Sequence, residues 1–309
     1  MLPSSPSVAI IGAGAMGCLF AARLGEKGAR VTLVDVDQAR LGAIARDGVT
    51  LKDDDGSRTI PIGASVAADL APVDLLILFT KGVHSGAAIR SVAHLVASKP
   101  IVLTLQNGIG NADLLAETFG ADQVLMGTAH VPADLTGPAS VLTHGFGHLD
   151  LGGFTTAADQ FAPSVAALLQ GAGFDSHVAG DANAAVWEKV AFNAALNASG
   201  MICQVPNAGL DNESGRRLAV NVVDETVAVA AAKGISIDRD KIVATVDSAL
   251  REHAHHKASM LQDREHGRQT EIEMINGAIA REGASLGVST PVCDTLADLV
   301  RIIEMAARG

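Results

Sequence analysis

Val8-Ala9-Ile10-Ile11-Gly12-Ala13-Gly14-Ala15-Met16-Gly17 is the stretch on which the fold turns. A short apolar, β-branched run meets a Gly-x-Gly-x-x-Gly turn. Cys18 to Gly28 then reads as a helix closed by glycine, and Val31-Thr32-Leu33-Val34-Asp35 as a second strand. Strand, glycine turn, helix, strand and terminal acid together form a dinucleotide-binding fingerprint in its required context. Each glycine has its own reason. Gly12 permits the tight turn, Gly14 admits the pyrophosphate to the backbone, and Gly17 lets helix and strand approach closely. The helix N-terminus offers unpaired N–H groups and a positive dipole end to the phosphates. Ala13, Ala15 and Met16 supply the remaining backbone of this expected cofactor cradle.

Asp35 has two readings: a carboxylate for the adenosine ribose hydroxyls, which would repel the 2′-phosphate of NADP, or a turn acid. Asp37 reads as an N-cap for the next helix. Arg40 lies within reach of a phosphate, which leaves NADP open at this point.

Downstream, Gly48 to Ser65 contains Asp53-Asp54-Asp55-Gly56, a hairpin turn with a solvated acidic loop. Val73 to Thr80 and Ile101 to Gln106 read as buried parallel strands flanking a helix over Val83 to Ala97. Lys81 and Asn107 follow those strands, where ligands bind in open α/β sheets. An exposed loop lysine and a plain Asn-Gly turn are the competing readings. Val124 to Gly153 suggests two or three further strands, in which His144 and His148 read as packed or surface residues. Asp159 to Gly171 reads as a helix and Phe174 to Val178 as a strand.

Beyond Ala179-Gly180-Asp181 helical periodicity takes over. The expected division is 1–180, a Rossmann-like dinucleotide-binding domain, and 181–309, an all-helical substrate and catalytic domain. In Val186 to Asn197, Lys189, Asn193 and Asn197 fall at i, i+4 and i+8, one amine and two carboxamides on a single helical face. That stripe is either an internally satisfied network or the wall of a site. Helices are expected over Ser214 to Lys233 and Arg239 to Lys257. His253, His255 and His256 on the second do not converge, so no metal centre is expected there or elsewhere. Thr270 is expected to cap a helix running to Leu286 with Glu271 in its first turn, and Pro291 to start the last helix. Glu271 and Glu273 would face different sides.

Composition narrows the function. The 309 residues allow two domains, and 48% hydrophobic content with 18% charge excludes wholesale disorder. A net charge of -11, no tyrosine and one tryptophan argue against nucleic acid and anionic membrane as partners. Cys18, Cys203 and Cys293 are too dispersed for a disulfide framework or a zinc site. These features, with no signal-peptide pattern and no long apolar run, read as a soluble cytoplasmic protein.

Taken in order, the residues resemble ketopantoate reductase (2-dehydropantoate 2-reductase) from about Val8 to about Glu304. The marks are Gly12 to Gly17, Lys81, Gln106-Asn107-Gly108, Lys189 with Asn193 and Asn197, Ser259-Met260-Leu261-Gln262-Asp263, and Thr270-Glu271-Ile272 leading to Ile275-Asn276-Gly277. The resemblance implies NAD(P)H-dependent reduction of the 2-keto group of ketopantoate to (R)-pantoate, on the route to pantothenate and coenzyme A. It implies a Rossmann-like domain, an all-helical domain and a site in the cleft between them. It makes Lys189 the general acid and Glu271 the residue that binds substrate and positions it. Asn107, Asn193, Asn197 and Ser259 would contact substrate or cofactor, and Lys81 would lie near both. Homodimer formation is a further implication.

Two departures from the family pattern bear on specificity. Where NADPH-using members carry an Ala-Arg-Gly run after the second strand, this chain has Asp35-Val36-Asp37, which favours NADH over NADPH. Asn197 is followed by Ala198-Ser199-Gly200 rather than Pro-Leu-Thr, and Lys81 by Gly82-Val83-His84. The alternatives are a related reductase of another branched 2-keto acid, a β-hydroxyacid or 6-phosphogluconate-type dehydrogenase, and a non-enzymatic NAD-binding sensor.

Overall fold

The computed structural model describes residues 2–145 and 147–307. In chain order the elements of the first part are β1 (Ser7–Ile11), α1 (Ala15–Glu26), β2 (Arg30–Val34), α2 (Gln38–Asp47), β3 (Val49–Asp53), β4 (Gly56–Ile60), β5 (Gly63–Ser65), β6 (Leu75–Leu78), α3 (Gly82–Ser91), β7 (Ile101–Thr104), α4 (Asn111–Phe119), β8 (Val124–His130), β9 (Asp134–Gly137), β10 (Ser140–Leu142), β11 (His148–Gly153), α5 (Ala162–Gly171) and β12 (Asp175–Val178). The helices that follow are α6 (Ala182–Cys203), α7 (Asn207–Leu210), α8 (Glu213–Ala232), α9 (Arg239–Glu252), α10 (Ser259–Glu265), α11 (Asn276–Leu286) and α12 (Pro291–Ala306).

The chain divides into two compact units, 1–106 with 111–182, and 107–110 with 183–309. The first unit is built on a sheet in the order β12-β11-β8-β7-β6-β1-β2-β5. Its strands from β8 to β5 run parallel; β11 is antiparallel to β8, and β12 follows β11 in parallel. The four residues of β6 and the four of β7 are all buried, as expected of strands covered on both faces. Leu19, Phe20 and Leu24 of α1 pack with Ile10, Leu33, Leu103 and Leu149 into one apolar core. A second, smaller sheet, β4-β3-β10-β9, lies in the same unit. The sequence suggested two or three strands over Val124 to Gly153; the structure has four, and β10 pairs with β3 of the Gly48 hairpin and β9 with β10, instead of joining the main sheet. The acidic turn is solvated as expected at Asp54, Asp55 and Gly56, with its flanks tied down by hydrogen bonds. Asp53 bonds Arg58 at 2.8 Å, and Asp54 accepts the Gly145 N–H at 2.8 Å.

Among its described residues the second unit has helices joined by loops and no strand. Val190 and Ala194 of α6, Val222, Val223 and Val229 of α8, Ile279 of α11, and Cys293, Ala297 and Val300 of α12 are all essentially without exposure. Helix starts follow the capping rules. Asn212 and Asp238 accept N–H groups of Gly215 and Lys241 at the heads of α8 and α9, and Pro291 opens α12. No helix of the described residues is long and apolar enough to cross a membrane.

Two helical expectations fail. The α9 helix stops at Glu252 instead of Lys257, so His253 caps it and His255 and His256 lie beyond it. The helix expected from Thr270 to Leu286 is broken. A 3-10 turn covers Ile272–Met274, Ile275 is non-helical at φ -112° and ψ -101°, and α11 begins at Asn276. The cause is a competing bond: the carbonyl of Met274 accepts the Ile109 N–H at 3.0 Å. Gly108, at φ +93°, makes that approach feasible, since a Cβ there would lie 2.4 Å from the Met274 carbonyl oxygen.

Candidate active site

In the first unit the glycine turn has three distinct environments. Gly12 sits at φ +104°, and a Cβ there would meet the Phe79–Thr80 backbone at 2.8 Å. A Cβ on Gly17 would lie 1.9 Å from the Gly12 carbonyl oxygen, so the third glycine allows α1 to close onto the turn itself. Gly14 is different: nothing lies within 4 Å of its missing Cβ. It is the N-cap residue of α1, a helix with no side-chain cap and no acid in its first turn. An open backbone at the head of a 12-residue helix fits a diphosphate.

Asp35 follows β2 and is tied to this turn. One carboxylate oxygen accepts the Ala13 N–H at 2.6 Å; the other accepts the N–H groups of Val36 at 2.8 Å and Asp37 at 3.0 Å. Arg40 donates to the Ala13 carbonyl at 2.7 Å, so the Ala13 peptide is gripped on both sides. That role of Arg40 was not legible in the sequence, which offered it only as a phosphate ligand. Its guanidinium also pairs with Asp37 at 3.6 Å, while Asp37 caps α2 through the Arg40 N–H at 3.0 Å. Val36 is 93% exposed, where NADPH-using relatives were expected to carry arginine. Backbone amides and a carboxylate at the end of β2 form a donor and acceptor set suited to a dinucleotide.

Lys81 follows β6 as the half-buried N-cap residue of α3. Beside it lies a polar network that sequence reasoning did not find. The Gln106 amide donates to the Thr80 carbonyl at 2.5 Å and to the Ser85 hydroxyl at 3.0 Å, and Ser85 donates to Asn111 at 2.9 Å. Ser85 and Asn111 are buried, so this network fixes the loops after β6 and β7.

In the second unit, α6 carries Lys189, Asn193 and Asn197 at the expected spacing. Lys189 and Asn193 are half-buried and Asn197 is buried. Burial lowers the Lys189 pKa to about 8, against an opposing upward pull from the charge of Glu271. Glu271 precedes the 3-10 turn and accepts a hydrogen bond from the Asn107 amide at 3.2 Å. Lys189, Glu271 and Asn107 therefore form one group within this unit, although Asn107 is 164 positions from Glu271 in sequence.

Glu273 is spent elsewhere, bonded to Arg301 at 2.6 Å and Arg281 at 3.0 Å. Ser259 is exposed at the first residue of α10 and takes no part in the Asn107–Glu271 bond. Asn276 is completely buried; its amide donates to the Ala194 carbonyl at 3.1 Å, pinning the head of α11 to α6 one turn past Lys189.

A Rossmann-like sheet with an open glycine turn, followed by a helical unit holding a half-buried lysine, defines a class of nicotinamide-dinucleotide-dependent oxidoreductases. Sequence models of the family described as ketopantoate reductase PanE/ApbA match residues 8–156, and models of its C-terminal part match residues 181–304. The chain belongs to the ketopantoate reductase family. Among curated relatives, the 2-dehydropantoate 2-reductase of Halobacterium salinarum is 34% identical, with 96% of this chain and 98% of that protein covered.

Solved structures agree. D-mandelate dehydrogenase with NADH and anilino(oxo)acetate superposes with a TM-score of 0.92 at 29% identity, covering 98% of this chain and 100% of that one. The 2-dehydropantoate 2-reductase of Geobacter metallireducens GS-15 gives a TM-score of 0.88 at 30% identity, covering 96% and 99%.

Proposed function

We propose that this chain reduces 2-dehydropantoate to (R)-pantoate with NADH favoured over NADPH, serving pantothenate and coenzyme A formation. The observation that carries the reading is the half-buried Lys189, its pKa lowered to about 8, grouped with Glu271 and Asn107. The dinucleotide supplies a hydride to the carbonyl carbon of the 2-keto group. Negative charge then develops on the former carbonyl oxygen. Lys189 hydrogen-bonds that oxygen and donates the proton that completes the alcohol, leaving a neutral amine that solvent reprotonates. A pKa of about 8 makes Lys189 a far better proton donor near neutrality than an ordinary lysine.

Glu271 binds the substrate's distal hydroxyl and, through its charge, keeps Lys189 from losing its proton altogether. Asn107 orients Glu271, and Asn193 and Asn197 orient substrate without adding charge. Ser259 and Lys81 belong to the proposal as substrate and cofactor contacts. In the first unit, Gly12 to Gly17 with the head of α1 take the diphosphate. Asp35 faces the adenosine ribose with the acceptor capacity its three backbone bonds leave, and opposes a 2′-phosphate.

A second reading, reduction of another branched or aryl 2-keto acid, is favoured by the TM-score of 0.92 to D-mandelate dehydrogenase. One assay separates the two: oxidation of NADH and of NADPH, followed optically, against ketopantoate and a panel of bulky 2-keto acids. Ketopantoate should give the highest kcat/KM, and NADH should outperform NADPH; in Asp35→Asn that cofactor ratio should fall. A higher kcat/KM with another 2-keto acid would move the substrate to the second reading. No oxidation with any of them would leave a dinucleotide-binding protein without this activity.

A further inference from the structure

The far edge of the main sheet carries a side-chain grid that the reductase reading does not use. Strands β11 and β12 pair in parallel with His148 opposite Asp175 and Asp150 opposite His177. Opposed residues share a face of the sheet, so histidine and aspartate alternate at the corners of a square. Leu149, Leu151 and Ser176 point the other way and are buried, which places the grid on the face turned from the core. His148 bonds Asp175 at 2.8 Å through Nδ1 and Asp150 at 2.9 Å through Nε2, and His177 Nε2 meets Asp175 at 2.7 Å. One ligand atom each from His148, Asp175 and His177 lies within 4.8 Å of the others. On the next strand, His130 stands opposite His148.

We propose that this grid is a binding site for a divalent transition-metal ion, zinc in the first instance, held by His148, Asp175 and His177. Two imidazoles and a carboxylate are a borderline-soft N and O donor set that suits zinc and its first-row neighbours and not magnesium or calcium. Donor atoms about 2.0–2.2 Å from a tetrahedral zinc stand roughly 3.3–3.6 Å apart. The observed spacing closes to that by small rotations of half-exposed side chains. Asp150, already bonded to His148, would orient the ring from outside the coordination sphere, as carboxylates do for metal-bound histidines. His130 or water would complete four ligands.

The site is remote from the glycine turn, since β8, β7 and β6 stand between β11 and β1. Its effect is structural: the ion fastens the edge strand β12 to β11.

The test uses the full-length protein, stripped with a chelator and carrying Cys203→Ser so that the exposed thiol contributes nothing. Zinc is titrated calorimetrically, and cobalt absorption reports the ligands. One ion should bind per chain, and His148→Ala and His177→Ala should each weaken zinc at least about tenfold, the scale of losing a supporting ligand. Asp175→Asn, which keeps the side chain's shape, should do the same. His144→Ala, outside the grid, should change nothing. The thermal midpoint should rise with zinc in the parent and not in these three variants. Absence of zinc binding, or equal affinity in His177→Ala, would overturn the proposal and leave the grid as an ion-free histidine–aspartate network.

Discussion

At the scale of single residues, the proposed function rests on how the protein treats one amine. Burial disfavours the charged form of Lys189 and brings its pKa to about 8 from an ordinary value of 10.5, and Glu271 limits the fall. The sign for catalysis follows directly. The proposed reduction uses the protonated amine, so kcat for reduction should fall as pH rises through about 8, while the reverse oxidation should gain over the same range. Glu271→Gln removes the upward pull, and the break in the profile should move to lower pH; pH profiles of kcat in the wild type and the variant check this. A break that stays in place would detach Glu271 from Lys189.

For stability the sign is opposite to the usual ion pair. Below about 8 the folded chain bears the cost of a buried charge, on the order of 3 kcal/mol by proton linkage. Between about 8 and 10.5 the unfolded chain holds the extra proton, so this group's contribution rises with pH. Lys189 is thus kept at an expense to stability, as expected of a functional group.

At the scale of elements, the glycine turn was the most legible part of the sequence, because its chemistry is local. Strand, turn, helix and acid follow one another within a few dozen residues, and the three glycines separate by environment. Gly17→Ala drives a methyl to 1.9 Å from the Gly12 carbonyl and should lower the thermal midpoint of the protein itself. Gly14→Ala meets nothing within 4 Å, so its fold should hold while NADH binding weakens; calorimetry on both variants distinguishes the two effects.

Elsewhere local rules lost to distant partners. The helix expected from Thr270 is interrupted because the Ile109 N–H, from a loop 165 residues earlier, takes the Met274 carbonyl that helical bonding would have used. Asn107 reached Glu271 over a similar distance. The resemblance named both residues, but no periodicity could have joined them. Strands were expected over this stretch, but not the sheet they join, since the partner of β10 is β3 of the hairpin ninety residues upstream. His148 and His177 also stayed hidden. Each alternates unremarkably along its own strand, and only the parallel register sets them at opposite corners of one square.

At the scale of the whole molecule, the α/β first unit and helical second unit were readable from the change of periodicity near residue 180, and the family match extends over nearly all of the chain. The chain's charge of -11 does not prevent an anionic substrate, because Lys81 and Lys189 are local positive groups. Substrate identity was the least legible property. Ketopantoate reductases and D-mandelate dehydrogenase share this architecture at similar identity, so the fold alone does not separate their substrates. On the proposed reading, one lysine finishes the reaction.

The decisive measurement is therefore single-turnover oxidation of NADH by ketopantoate in the wild type and in Lys189→Ala. Losing the general acid should slow the chemical step by roughly 10²–10⁴-fold while substrate KM changes only a few-fold. A chemical step within a few-fold of wild type would show that Lys189 is not the proton donor.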